Sequence, residues 1–173
     1  MSGELLRHSL FYGAILSVAM SFTFLTLLVW NPEVWVGDYP PDIQEKFGPM
    51  SDKAQRLKRL VGPPVILLFL AVVGLAMVQW TGTHAVPMTF MEAFLSSFLI
   101  FSLFNLVDLL ILDWLLFVTI QPRLIILPGT EGMAGYKDYA FHFYAFLKGL
   151  VASVLVSLIV AGVVWGIQAA VYP

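Results

Sequence analysis

The sequence predicts an all-α, polytopic membrane protein, with four transmembrane helices and an interfacial helix in the first loop, in one domain over residues 1–173. Three observations carry that prediction. Hydrophobic residues make up 60% of the chain and charged residues only 12%, about half the charged share of a soluble domain, and mean hydropathy is +0.88. Four apolar segments reach bilayer-spanning length, at 10–30, 61–80, 93–120 and 149–171. Strictly alternating barrel strands are absent, so helices, which satisfy their own backbone groups, are the economical way through hydrocarbon.

The first segment is expected to stay in place as a span. Its apolar part is too long for a signal peptide, and no small-residue cleavage site follows it. Loop one, 31–60, is long enough to hold structure. Pro40-Pro41-Asp42 followed by Ile43 and Phe47 suggests a turn and one short amphipathic helical turn. Ser51 fits an N-cap, and Ala54, Leu57 and Leu60 recur at helical spacing between basic residues, which predicts an interfacial helix lying on anionic headgroups. Gly62-Pro63-Pro64 is expected to start the second span, because proline is tolerated in a first turn. Glu92 opens the third span as a helix-dipole residue. Loop three, with Pro122, Pro128-Gly129, Gly132 and Gly135, reads as a turn-rich connection, and Tyr136, Tyr139, Phe141, Phe143, Tyr144 and Phe146 as an interfacial aromatic belt at the foot of the fourth span.

Orientation follows from Lys and Arg. Lys46, Lys53, Arg56, Lys58 and Arg59 flank loop one, and Arg123, Lys137 and Lys148 flank loop three, leaving Arg7 alone at the other end. By the positive-inside rule, loops one and three are expected in the cytoplasm of a cell-membrane protein, with both termini outside. A net charge of −2 without a basic stripe excludes nucleic acid as a partner. With no cysteine, disulfides, thiolate nucleophiles, zinc–cysteine sites and iron–sulfur clusters are excluded. No P-loop, HExxH or GxSxG occurs.

Between membrane helices, small residues permit close approach. Gly13, Ser17 and Ser21 form one such row, Ser153, Ser157 and Ala161 another, and Gly162 and Gly166 make a GxxxG. Each is an expected interhelical face, within the bundle or between protomers of a homo-oligomer.

The costliest residues lie in the third span. At about 100° per residue, Asn105, Asp108 and Asp113, with Ser102, share a face about 140° wide, a polar seam aimed at neighbouring helices. A carboxylate near mid-bilayer costs about 2.5–3.5 kcal/mol on insertion scales, whereas an interhelical hydrogen bond returns about 0.6 kcal/mol. Helix glue therefore does not explain Asp108, which points to function. Asp108 is expected either to carry its proton or to be held by Asn105 and hydroxyls such as Ser17 or Ser21. Asp113 falls near the headgroup boundary, where an acid needs no special account. His142 and Lys148 are its expected charge partners, and Arg123 reaches it only if the chain turns back after Pro122. Asp108, Asp113, Glu131 and His142 are hard ligands that together form a metal candidate for Mg²⁺ or Ca²⁺. His8 and His84 are expected to be solvated loop histidines.

The string Asn105-Leu106-Val107-Asp108 to Leu112-Asp113-Trp114, then Leu127-Pro128-Gly129-Thr130-Glu131-Gly132 and Tyr136-Lys137-Asp138-Tyr139 to His142, resembles a group of small, uncharacterised bacterial four-helix integral membrane proteins over the C-terminal half. The resemblance implies that the third span, the Pro-Gly loop and the foot of the fourth span form one unit, and it carries no activity with it. Three readings follow for a chain whose first partner is the lipid bilayer: a protein whose seam handles protons, cations or a small polar solute; an accessory or assembly subunit of a larger membrane complex; or an intramembrane enzyme on lipid substrates that uses a divalent cation.

Overall fold

A computed structural model describes residues 1–84 and 86–171. Five α-helices follow in order: α1 (Gly3–Trp30), α2 (Pro41–Phe47), α3 (Asp52–Thr83), α4 (Phe90–Val107, continuing as a π-helix over Asp108–Ile120) and α5 (Tyr139–Val171). Four of these, α1, α3, α4 with its continuation, and α5, are long and apolar enough to cross a membrane. The all-α four-helix fold is as the sequence predicts.

Each start has a local cause. The Ser2 and Ser51 hydroxyls accept the amides of Leu5 and Ala54 at 3.1 and 3.3 Å, capping α1 and α3. Thr89 and Glu92 close a reciprocal capping box at α4, with bonds of 3.2 and 2.9 Å. Glu92 thus caps the helix rather than only answering its dipole. The interfacial helix and the second span are one continuous helix, α3, which runs through Pro63 and Pro64 instead of starting at them. Its 32 residues reach about 48 Å, well beyond the roughly 30 Å hydrocarbon core, so the basic first turns project from it.

α4 lies between α1 and α5, and α3 leans on α1 with little contact to α4. The α1–α4 seam is close because Gly13 has no side chain: a β-carbon there would sit 3.0 Å from Leu103 Cδ2. Ser9 adds a buried hydrogen bond to Ser96 at 2.8 Å. On the α4–α5 seam a β-carbon at Gly149 would lie 2.5 Å from Asn105 Oδ1, and Asn105 Nδ2 donates to the Phe146 carbonyl at 2.9 Å. Ser153, Ser157 and Ala161 are buried along the same helix, whereas Gly162 and Gly166 have no neighbour within 4 Å of a β-carbon. The GxxxG therefore faces away from the bundle.

Loops one and three pack together as a cap over one end. Pro32–Asp38 forms a 3₁₀ helix started by the Asn31 side chain, and α2 buries Ile43 completely. Leu28, Val36, Tyr39, Phe117, Ile125, Leu127 and Tyr136 join it in a second hydrophobic core. Tyr39 donates to the Ile125 carbonyl at 2.8 Å. The Tyr136 hydroxyl takes the Leu127 amide at 2.9 Å and meets Thr130 Oγ1 at 2.7 Å. Tyr136 is therefore the centre of the cap, 1% exposed, and not part of an interfacial belt; Tyr139, Phe143 and Tyr144 are the exposed rings. At the opposite end His8 and His84 are not simply solvated. His8 bonds the Ala76 carbonyl at 2.9 Å and His84 stacks on Trp80 with ring centroids 3.8 Å apart.

Two substitutions test this packing. Gly149→Val should displace Asn105 and lower stability by about 1–3 kcal/mol in detergent, while Gly162→Val should leave the unfolding midpoint unchanged. Tyr136→Phe, which strips the buried Leu127 amide of its acceptor, should cost about 1–3 kcal/mol by denaturant titration.

Candidate functional site

The π winding that begins at Asp108 positions the site. In an α-helix, residues five apart are separated by about 140°; with i→i+5 bonding they come closer to the same face. Such a bond is visible at the end of the segment, where the Gln121 amide donates to the Leu116 carbonyl at 3.0 Å, and the Thr119 hydroxyl spans the same five-residue interval to the Trp114 carbonyl at 2.7 Å. Asp108 and Asp113, five apart, consequently line one cavity. Gln121 ends the segment with φ +47°, a left-handed conformation held by its side chain, which donates to the carbonyls of Val118 and Tyr136 at 2.8 and 2.9 Å.

The cavity, about 360 Å³, sits where α1, the π segment and α5 meet the cap. Asp38, Asp108, Asp113 and His142 supply its polar wall, and Met20, Phe24, Trp35, Phe104, Leu112 and Phe141 much of the apolar remainder. His142 is buried, and its Nδ1 lies 3.0 Å from Asp113 Oδ1. A bond to a carboxylate places the proton on Nδ1 and orients the ring. The other nitrogen, Nε2, is buried without a hydrogen-bond partner, and the imidazole packs against Phe117 and Phe141 with ring centroids 4.9 and 5.3 Å apart. A bare lone pair there is tolerated far better than an unpaired N–H.

The seam read from the sequence divides in two. Asn105 faces α5 through Phe146 and Gly149 and lies on the wall of a different, apolar groove. Ser102 Oγ is buried without a partner. Only Asp108 and Asp113 enter the acidic cavity. The expected holders of Asp108 are engaged elsewhere, Asn105 with Phe146 and Ser17 with the Gly13 carbonyl at 2.8 Å. Among the described residues, ion pairs join His142 to Asp113 and His84 to Glu4; Lys148 and Arg123 are exposed and in neither. Glu131 accepts the Gly129 amide at 3.2 Å and stands outside the cavity wall. Of the four hard ligands singled out from the sequence, Asp108, Asp113 and His142 line the cavity and Glu131 does not, and no group of three or more histidine, aspartate or glutamate side chains among the described residues is placed to hold a metal ion.

Sequence reading missed Asp38, Trp35 and Lys58. The 3₁₀ helix anchors itself by burying Val34 and Val36, which carries Trp35 and Asp38 to the cavity. The signal was the apolar triplet Val34-Trp35-Val36 inside an otherwise polar loop, a pattern that marks buried chain. Lys58 Nζ comes within 3.8 Å of the place a β-carbon on Gly37 would take. Burial pushes the Asp38 carboxyl above its ordinary range; the Lys58 ammonium opposes that, and Asp113 adds to it. Burial likewise raises the Tyr39 phenol, which remains a donor to Ile125.

Folded Asp38 thus holds its proton more tightly than the unfolded chain does. Stability contributed by the protonated form is complete below the ordinary carboxylate value and is lost as pH rises through the raised one. Asp38→Asn should therefore raise the thermal midpoint at pH 7, with the difference from the parent closing as pH falls to about 4; a midpoint difference independent of pH would contradict this. Compared with known proteins, the chain matches no family model, no curated protein and no solved structure.

Proposed function

We propose that this integral membrane protein takes up protons or small cationic solutes at the acidic cavity formed by Asp38, Asp108, Asp113 and His142. The observation that carries the reading is the convergence of three carboxylates on one cavity at the inner end of a bundle, with one buried histidine bonded to Asp113 and Lys58 at the rim. An ionisable group at the depth of Asp108 is costly, and such groups mark proton and ion paths. Asp108, which lacks the expected hydrogen-bond donors, is the group whose charge is least answered. The Asp113–His142 pair is a proton donor–acceptor couple beside it.

Lys46, Lys53, Arg56, Lys58, Arg59, Arg123, Lys137 and Lys148 belong to the segments at the capped end of the bundle. The positive-inside rule then puts the cap and cavity on the cytoplasmic side of the cell membrane and both termini outside. Four helices are thin for enclosing an aqueous path, so passage across the bilayer implies a homo-oligomer. A second reading, an accessory subunit of a larger membrane complex, is favoured by how little of the apolar windows of α3 and α5 is buried within the chain, 22% and 17%. Co-purification at fixed stoichiometry and instability in isolation are its signature. The lipid-enzyme reading loses Glu131 from its catalytic set and has no metal cluster among the described residues to draw on.

In proteoliposomes, Asp108→Asn should lower proton or monovalent-cation flux by about tenfold, equivalent to about 1.4 kcal/mol, with unchanged folding by circular dichroism. Unchanged flux for every cation tested would remove the main support for the reading.

A further inference from the structure

An apolar groove of about 430 Å³ runs along α4 between α3 and α5. It exists because α3 leans on α1 and leaves that face of α4 uncovered. Ile66 and Leu70 form its outer rim and are largely exposed, at 61% and 57%, so in a bilayer the groove opens toward acyl chains. Its inner wall includes Phe104, and Phe104 also forms part of the wall of the acidic cavity. One ring, steadied edge-on by Phe69 with centroids 5.2 Å apart, therefore divides a lipid-facing apolar groove from a cluster of carboxylates. Both volumes fall within the roughly 300–1,000 Å³ typical of small-molecule sites.

Resting on the cation-handling reading above, we propose that groove and cavity together bind a single-tailed cationic amphiphile, its ammonium group within the cavity that Asp108, Asp38 and Asp113 line and its hydrocarbon tail along α4 in the groove. The charge on the cavity wall selects the head: three carboxylates face one histidine, with Lys58 at the rim. A metal ion is a poor fit, because no group of three or more such ligands among the described residues is placed to hold one. The groove selects the tail, since its lining is apolar apart from Asn105 and Ser153, and Asn105 already donates to Phe146. Phe104, at the boundary, sets how a head passes from one compartment to the other. Entry is lateral, from the bilayer, because the rim of the groove lies on spanning helices.

The test uses the full chain in nanodiscs of zwitterionic lipid, with hexadecylamine as probe and hexadecanol, hexadecyl sulfate and ethylamine as comparators, read by native mass spectrometry and by thermal shift. Hexadecylamine should bind saturably and at least about tenfold more tightly than each comparator. Asp108→Asn should remove its preference over hexadecanol. Leu70→Trp, at the exposed rim and away from the carboxylates, should weaken hexadecylamine binding while leaving ethylamine binding and cation flux as in the parent. Equal binding of amine and alcohol, or no effect of Leu70→Trp on hexadecylamine, overturns the proposal. A Leu70→Trp variant altered only in oligomeric state would give the groove to a second copy instead, which also overturns it. Because flux is measured separately, loss of amphiphile selectivity with Asp108-dependent flux intact defeats this inference and leaves the cation-handling reading standing.

Discussion

Hydrocarbon cannot solvate a carboxylate, and that constraint organises the capped end of this molecule. Asp108 lies within a helix long and apolar enough to cross the bilayer, where an ionisable side chain must be turned inward and covered, and Asp113 follows it toward the capped end. The cover is made from the two loops. Pro32–Asp38 and α2 come down from one side, and the Pro-Gly loop before α5 folds over from the other. The two are joined by the Tyr39–Ile125 hydrogen bond and by the Gly135 amide donating to Asp42 at 3.0 Å, while the Tyr136–Leu127 bond braces the Pro-Gly loop itself. A β-carbon at Gly135 would collide with the Asp42 carboxylate, so this contact requires glycine. The cap is thus a second small core whose packing decides whether the acids are sheltered.

The shelter is incomplete by design of the elements around it. Tyr136, Thr130 and Gln121 spend their polar groups on the cap and on one another, and Asn105 spends its amide on α5. None is left to answer Asp108. A structure built only to be stable gains nothing from an acid in this position, since a half-buried carboxyl in a spanning helix without a hydrogen-bonding partner is costly whether it is ionised or carries its proton. The π segment repeats the pattern. Its hydrogen bonding is uncommon, it begins at Asp108, and its effect is to swing Asp113 toward the same wall, where His142 meets it. An uncommon helical winding and an unpartnered acid coincide at one cavity.

The bundle itself is arranged to leave one face of α4 open. Close seams at Gly13 and Gly149 draw α1 and α5 tightly against α4, and α3 is held to α1 by His8 bonding the Ala76 carbonyl and Tyr12 bonding Gln79 at 2.7 Å. With α3 committed to α1, the groove along α4 follows from the packing. Phe104 then stands between lipid and acid because residue 104 falls between Asn105, turned to α5, and the cavity wall.

Hydropathy and length were enough to show the four helices, because a bilayer imposes one dominant pattern that composition alone satisfies. The serine caps at Ser51 and the short helix after Pro40 were legible for the same reason, since each depends on residues a few positions apart. What sequence periodicity could not show was any arrangement that departs from regular α geometry or joins distant segments. The uniform turn of about 100° per residue set Asn105, Asp108 and Asp113 on one seam, and the switch to π winding, which depends on packing against α5 and the cap, divided them. Pro63 and Pro64 looked like a start because proline lacks a donor, but α3 had already been initiated at Ser51 and a membrane helix absorbs such a pair. Asp38 and Trp35 reached the site through the burial of Val34 and of Val36, the latter in one core with Ile125 and Leu127, about ninety positions away. Which acid finds a partner and which does not is a property of that long-range packing.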